Sequence, residues 1–169
     1  RGGQVDDFEL RLDYRIRNHN SGIQYRSVEG PGRWVVGGYQ ADMVGDDSPY
    51  SGILYEERGR GILALRGQKV VVGDDHKPKV VGSLGDAKEM ASAINGGDWN
   101  RYTVTAQGNR LTHKINDRVM SETVDEDTAK RRSSGILALQ LHAGPPMKVQ
   151  FRNIRLKRLP MEDKEKIVL

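Results

Sequence analysis

Asp7-Phe8-Glu9-Leu10-Arg11-Leu12-Asp13-Tyr14-Arg15-Ile16-Arg17 alternates without a break. Phe8, Leu10, Leu12, Tyr14 and Ile16 share one parity, and a charged side chain fills every position between them. Successive side chains of a strand point to opposite faces, so this run is a strand with one buried and one wet face. Asn18-His19-Asn20-Ser21-Gly22 reads as a turn, and Ile23-Gln24-Tyr25-Arg26 as the returning strand. A strand from about Trp34 to Val44 turns Tyr39, Ala41 and Met43 inward and leaves Gln40 and Asp42 on the other side.

The pattern continues outward from there. Short strands are expected near residues 52–57, 61–65, 69–72 and 79–81, divided by turns at Arg58-Gly59-Arg60, Gly73-Asp74-Asp75 and Gly82-Ser83. The convincing helical stretch runs from Asp86, a plausible N-cap, to Ile94, and Asn95-Gly96-Gly97 stops it. Strands return over 99–106, 110–115, 118–123, 134–142 and 147–157, with Gly108-Asn109 and Asn116-Asp117 as tight-turn dipeptides. In the last strand Val149 and Phe151 differ in parity from Ile154 and Leu156. Both pairs face the core only if a bulge at Arg152-Asn153 shifts the register. Many short strands with almost no helix predict an all-β, antiparallel sandwich or barrel. One domain over 1–169 is expected, with its core at about 7–159 and a tail at 160–169.

Composition narrows the function. The 169 residues are 36% hydrophobic and 30% charged, a globular composition. No window approaches the ~18 consecutive apolar residues of a membrane span. The net charge of +4 is scattered, and its densest cluster, Lys130-Arg131-Arg132, lies in a polar loop, so a nucleic-acid partner is not expected. With no cysteine, disulfides and thiolate metal sites are excluded. The start, Arg1-Gly2-Gly3-Gln4, carries neither an initiator Met nor a signal-peptide core, which suggests a processed or excised piece. The sequence leaves the oligomeric state open.

No phosphate loop, dinucleotide fingerprint, nucleophile elbow or paired-His zinc pattern occurs in the sequence. What does occur is a set of polar residues on strands whose other face is apolar: Gln24 and Arg26, Gln40 and Asp42, Gln140 and His142. Planar amides and a guanidinium match vicinal hydroxyls of a sugar, and Tyr55, Trp34 or Trp99 could stack on its ring. The plainer reading is the solvent side of an antiparallel sheet. His142, with an ordinary pKa near ~6.5, suits proton exchange, although a strand-end His bonded to a loop carbonyl reads equally well. His76 reads as solvated and His113 as core-facing. No cofactor is evident; Asp42, Asp46 and Asp47 are of the type that holds a divalent metal, but their spacing defines no site, and solvated acids are the simpler reading.

Asp7-Phe8-Glu9-Leu10, Asn20-Ser21-Gly22-Ile23 with Arg26, and Gly38-Tyr39-Gln40-Ala41-Asp42 occur in that order. Ser51-Gly52-Ile53-Leu54-Tyr55, Asp98-Trp99-Asn100-Arg101-Tyr102, Gly135 through His142, and Phe151-Arg152-Asn153-Ile154 follow. Together they resemble the 3-keto-disaccharide hydrolase domains, over about residues 7–159. The resemblance implies a concanavalin A-like jelly roll, often in exported (periplasmic or extracellular) bacterial proteins. It also implies a carbohydrate substrate already oxidised to a ketone at C3. A base would remove the acidified C2 proton and expel the C1 substituent, and water would then add back. By position, Arg26 would hold keto or hydroxyl oxygens. His142 and Asp42 would transfer protons or ligate a metal, while Gln140 and Tyr55 would orient the sugar beside Gln24, Gln40 and Trp99. The family commonly has Glu where this chain has Gln40, and usually a further strand before Asp7. The alternative is a non-catalytic carbohydrate-binding module of a larger protein.

Overall fold

A computed structural model describes residues 3–45 and 49–160. The expected tail beyond Pro160, and Asp46 and Asp47, lie outside the described residues. The strands are β1 (Phe8–Arg17), β2 (Asn20–Glu29), β3 (Val36–Val44), β4 (Leu54–Glu57), β5 (Gly61–Ala64) and β6 (Gln68–Val72). After them come β7 (Pro78–Ser83), β8 (Asn100–Gln107), β9 (Arg110–Ile115), β10 (Arg118–Asp125), β11 (Ile136–Leu139) and β12 (Lys148–Arg158). The helix α1 (Ala87–Ala91) is capped by Asp86, whose side chain accepts from the Lys88 and Glu89 amides.

Two sheets pack face to face. One has the order β12-β1-β8-β9-β10-β6-β7 and the other β11-β2-β3-β4-β5. Neighbouring strands are antiparallel except for β10 and β6, which run parallel. The core between the sheets takes the parity read from the sequence: Phe8, Leu10, Leu12, Tyr14 and Ile16 from β1 meet Ile23 and Tyr25 from β2 and Tyr39, Ala41 and Met43 from β3. The turn between β1 and β2 needs only Asn18 and His19, both at positive φ (59° and 50°). Asn116 and Asp117, at 49° and 65°, close the β9–β10 hairpin in the same way. Paired positive φ values match the right-handed twist of the flanking strands.

His113 is a core residue. Its Nδ1 lies 3.0 Å from the Ile53 carbonyl and its Nε2 2.9 Å from Tyr25 Oη. The carbonyl can only accept, so Nδ1 carries the proton and the tyrosine donates to Nε2. Burial holds the imidazole neutral and pushes its pKa down to about 4.

Register shifts interrupt several strand pairings, and two of these bulges bear directly on the sequence reading. In β12, Asn153 (φ 53°) and Ile154 together face Leu12. Val149 and Phe151 pack against the core as expected, but Ile154 and Leu156 do not become buried. Leu156 sits opposite Leu10; β12 is a sheet edge, with nothing beyond it among the described residues to cover that side chain.

The second bulge matters more. In β2, Arg26 (φ 45°) and Ser27 together face Gly38, so the alternation Gln24, Tyr25, Arg26 fails at its third member. The crossing is tight: a Cβ at Gly38 would stand 2.4 Å from Ser27 Oγ, and one at Gly135 2.4 Å from the Arg26 carbonyl carbon. Arg26 becomes fully buried. Its guanidinium donates to the carbonyls of Asp6 (2.9 Å), Gly108 (2.7 Å) and Arg132 (3.2 Å), and to Asp7 Oδ1 (2.8 Å). One cation thus joins the entry to β1, the β8–β9 turn and the loop before β11.

A second buried cation, Arg60, bonds Glu56 (2.6 Å), Asp125 (2.6 Å) and Asp127 (3.1 Å). His76 is not merely solvated: its Nδ1 lies 2.6 Å from Asp127 Oδ2, which ties the β6–β7 turn to the loop after β10.

Removing one partner of a buried, fully bonded ion pair leaves the other charge stranded. Arg26→Met is therefore expected to lose about 3–5 kcal/mol of stability, read from urea unfolding. A loss below ~1 kcal/mol, the usual range of an exposed pair, would contradict the structural role given to Arg26.

Candidate functional site

The outer face of the five-stranded sheet carries the polar parity of β2, β3 and β4. Register sets Gln24 opposite Gln40, and Gln40 opposite Tyr55 on β4. Gly22 lies opposite Asp42, and the Gln140 amide binds the Gly22 carbonyl at 2.9 Å. Gln24, Gln40, Asp42, Tyr55 and Gln140 therefore meet on one surface, as the sequence predicts.

The side chains form a directed relay. Ser27 Oγ donates to Gln24 Oε1 (3.0 Å), Gln24 Nε2 donates to Gln40 Oε1, and Gln40 Nε2 donates to Asp42 Oδ1. Asn20 Nδ2 reaches the other carboxylate oxygen at 3.4 Å. Gly22 makes room for the turn in this chain: a Cβ there would stand 2.6 Å from Gln40 Cγ. Each glutamine Nε2 has a second N–H beyond the bond it makes in the relay.

Asp42 is 5% exposed. Burial lifts its pKa to about 6. The bonds from Gln40 and Asn20 oppose that rise, nearby Glu57 adds to it, and the charge of His142 pulls it back. A carboxyl poised near neutrality can take up and return a proton at working pH. His142 itself is exposed and lies just past the end of β11. Gln140 Oε1 is buried without a hydrogen-bond partner.

Two expected members are elsewhere. Arg26 is turned by the β2 bulge into its buried stitch at the end of the sandwich and does not share this face. Trp99 precedes β8 in the opposite sheet, where the guanidiniums of Arg152 and Arg15 lie 3.8 and 4.9 Å from its ring centre. Trp34, 86% exposed, stands in the β2–β3 loop rather than in a strand. Among the described residues no group of three His, Asp or Glu side chains is placed to hold a metal ion. Ser27 and Glu57 were not singled out from the sequence, and Asn20 and Gly22 were read as part of a turn and of a resemblance motif, with no role at the site. Glu57 shares parity with Tyr55 and was legible in principle; the others lie in segments that read as turn or strand end.

The architecture is that of a concanavalin A-like jelly-roll sandwich. Similar solved structures include the carbohydrate-binding module CBM66 from Bacillus subtilis, with a TM-score of 0.58 and 14% identity over 92% of this chain and 78% of that one. A protein of Parabacteroides distasonis provisionally described as a glycosyl hydrolase matches with a TM-score of 0.57 and 18% identity, over 93% and 80% of the two chains. A second from the same organism, provisionally described likewise, gives 0.55 and 18%, over 94% and 74%. Comparison with curated proteins finds no significant match. Residues 2–157 match the 3-keto-alpha-glucoside-1,2-lyase-like domain, and the chain belongs to that carbohydrate-active family.

The raised pKa of Asp42 has a cost in stability. Its folded pKa of about 6 exceeds the ordinary 3.8, so protonation favours the folded chain. That contribution is complete below pH 3.8 and lost as pH rises through 6. Asp42→Asn, neutral throughout, is expected to exceed the parent in stability by roughly 2–3 kcal/mol above pH 6, with the gain vanishing at low pH. His113 runs the other way: with its pKa lowered from 6.5 to about 4, its contribution falls as pH drops through that window. The two slopes offset in the parent, and the variant should destabilise more steeply on acidification. Unfolding titrations from pH 4 to 8 check this; a difference that does not change with pH would refute the assignment.

Proposed function

We propose that the domain cleaves 3-keto-glycosides by elimination followed by hydration, with Asp42 as the group that moves the proton at C2. The observation that carries this reading is a single buried carboxyl, with a pKa near 6, held on an amide relay on one face of a family-typical sandwich. A C3 ketone acidifies the C2–H bond. Asp42 takes that proton, the electron pair forms the C1=C2 bond, and the C1–O bond to the leaving sugar breaks with its pair. Water then adds across the double bond, its hydroxyl at C1 and a proton at C2. His142, exposed beside Asp42, is suited to protonate the departing oxygen. The spare amide hydrogens of Gln24 and Gln40 and the unpartnered Gln140 Oε1 are complementary to sugar hydroxyls, and Tyr55 offers a ring for stacking. Arg26 has no part in this scheme.

A second reading rests on the same relay. It is built of neutral amides, and Gln40 stands where the resemblance led us to expect a carboxylate, a composition that also suits a non-catalytic carbohydrate-binding face.

Incubation with a 3-keto-disaccharide, followed by chromatography, separates the two. Free sugar should appear, kcat/KM should inflect near pH 6, and Asp42→Asn should lower turnover by about 10²–10⁴-fold. His142→Ala should lower it as well. Binding of unoxidised glycan with no turnover of the keto-sugar would favour the second reading.

A further inference from the structure

A cavity of about 600 Å³ opens at the end of the sandwich where β1 and β3 finish, bounded by Tyr14, Ile16, Val44, Arg66, α1 and the 94–97 loop. Two of its lining groups are unusual. Arg66 is 6% exposed, and among the described residues its hydrogen bonds go to two backbone carbonyls, those of Ala87 (2.8 Å) and Ser51 (3.3 Å). Buried charges are ordinarily paired. Arg26 and Arg60, the other deeply buried arginines, hold one and three carboxylates. Arg66 holds none among the described residues, and burial draws its pKa below the usual guanidinium range. Of its five N–H donors, three have no partner among the described residues. The second group is Tyr14, 1% exposed, whose hydroxyl is buried with no partner among the described residues.

The described lining contains no acidic side chain. It brings together a cation and a hydroxyl that lack partners among the described residues, with Asn95 and Lys88, against an apolar wall of Ile16, Val44 and Ile94. The volume falls in the ordinary range for small-molecule pockets, ~300–1,000 Å³.

We propose that this cavity is a second binding site, separate from the Asp42 face, for a small carboxylate that also carries hydroxyls, a sugar acid. The carboxylate pairs with the free edge of Arg66, the geometry in which arginine binds carboxylates most strongly. Tyr14 Oη bonds a ligand oxygen, Lys88 draws the anion from solvent, and the apolar wall covers the C–H face of the chain or ring. The site does not depend on whether the Asp42 face is catalytic.

Titration with sodium glucuronate and sodium gluconate, followed by calorimetry and by amide shifts in an NMR spectrum, tests it. Saturable binding should appear, with shifts confined to α1, residues 94–100 and the Arg66 turn. Arg66→Gln should weaken it by about 10–100-fold, as for a hydrogen bond to a charged group, and Tyr14→Phe by up to about tenfold. Because Arg66→Gln also loosens the hold on Ala87, the milder Tyr14→Phe and the exposed Lys88→Ser serve as independent checks. Asp42→Asn should bind as the parent does. Glucose, which lacks the charge, should bind at least ~10-fold more weakly. Failure of both anions to bind at millimolar concentration, equal binding of glucose, or affinity unchanged in both Arg66→Gln and Tyr14→Phe would overturn the proposal.

Discussion

The buried guanidinium of Arg26 organises one end of this sandwich. Three backbone carbonyls and the Asp7 carboxylate accept from it, and they come from segments far apart in the chain: residues 6–7, 108 and 132. A charge taken out of water is tolerated best when hydrogen bonds and a counter-charge surround it, and the four bonds of Arg26 hold these segments together. The bulge in β2 is the local condition for this. It spends one extra residue against Gly38, turns the side chain of residue 26 out of the strand's alternation, and needs glycine at 38 and 135 for the chains to pass.

The same bulge shapes the functional face. Had β2 kept its alternation through residue 26, a guanidinium would stand on the side of Gln24, two positions along. Its removal leaves a face built of neutral amides around one carboxyl, whose pKa burial raises to about 6. Structure and chemistry are linked there by what a single residue does not do. The stability given up by burying an ionisable group is the usual companion of a tuned pKa.

Periodicity made most of the fold legible. Strict alternation in residues 7–17 determined which side chains of β1 enter the core, and parity in β3 placed Gln40 and Asp42 on a common face, to which the strand register adds Tyr55. Parity counts residues, however, and a bulge changes the count, which is why Arg26 was assigned to the wrong side; Leu156 stays exposed for a different reason, because β12 is the edge of its sheet. Trp99 failed for another reason: its motif is local, but whether its strand joins the sheet of Asp42 or the opposite one is a matter of topology. The contacts of His76 and Arg60 with Asp127 span 51 and 67 positions. Nothing near His76 in the sequence announces such a partner, so a solvated turn was the natural expectation. The cavity beside Arg66, whose walls converge only after folding, left no trace in the sequence.

Gln40 shows how a neutral residue can sharpen a titrating site. An amide accepts at its oxygen and donates at its nitrogen, so Gln40 can receive the bond from Gln24 and pass one to Asp42 in a single direction. A glutamate in its place would still accept from Gln24, but it could give to Asp42 only when protonated. Two carboxyls so close would share one proton and titrate as a coupled pair, with one pKa driven well above the other. With glutamine there, Asp42 is the ionisable member of the relay. Its proton affinity answers to burial, to the charges of Glu57 and His142, and to whatever is bound against it. The substitution that at first sight weakens the case for chemistry leaves one group, with one poised proton, at the centre of the face.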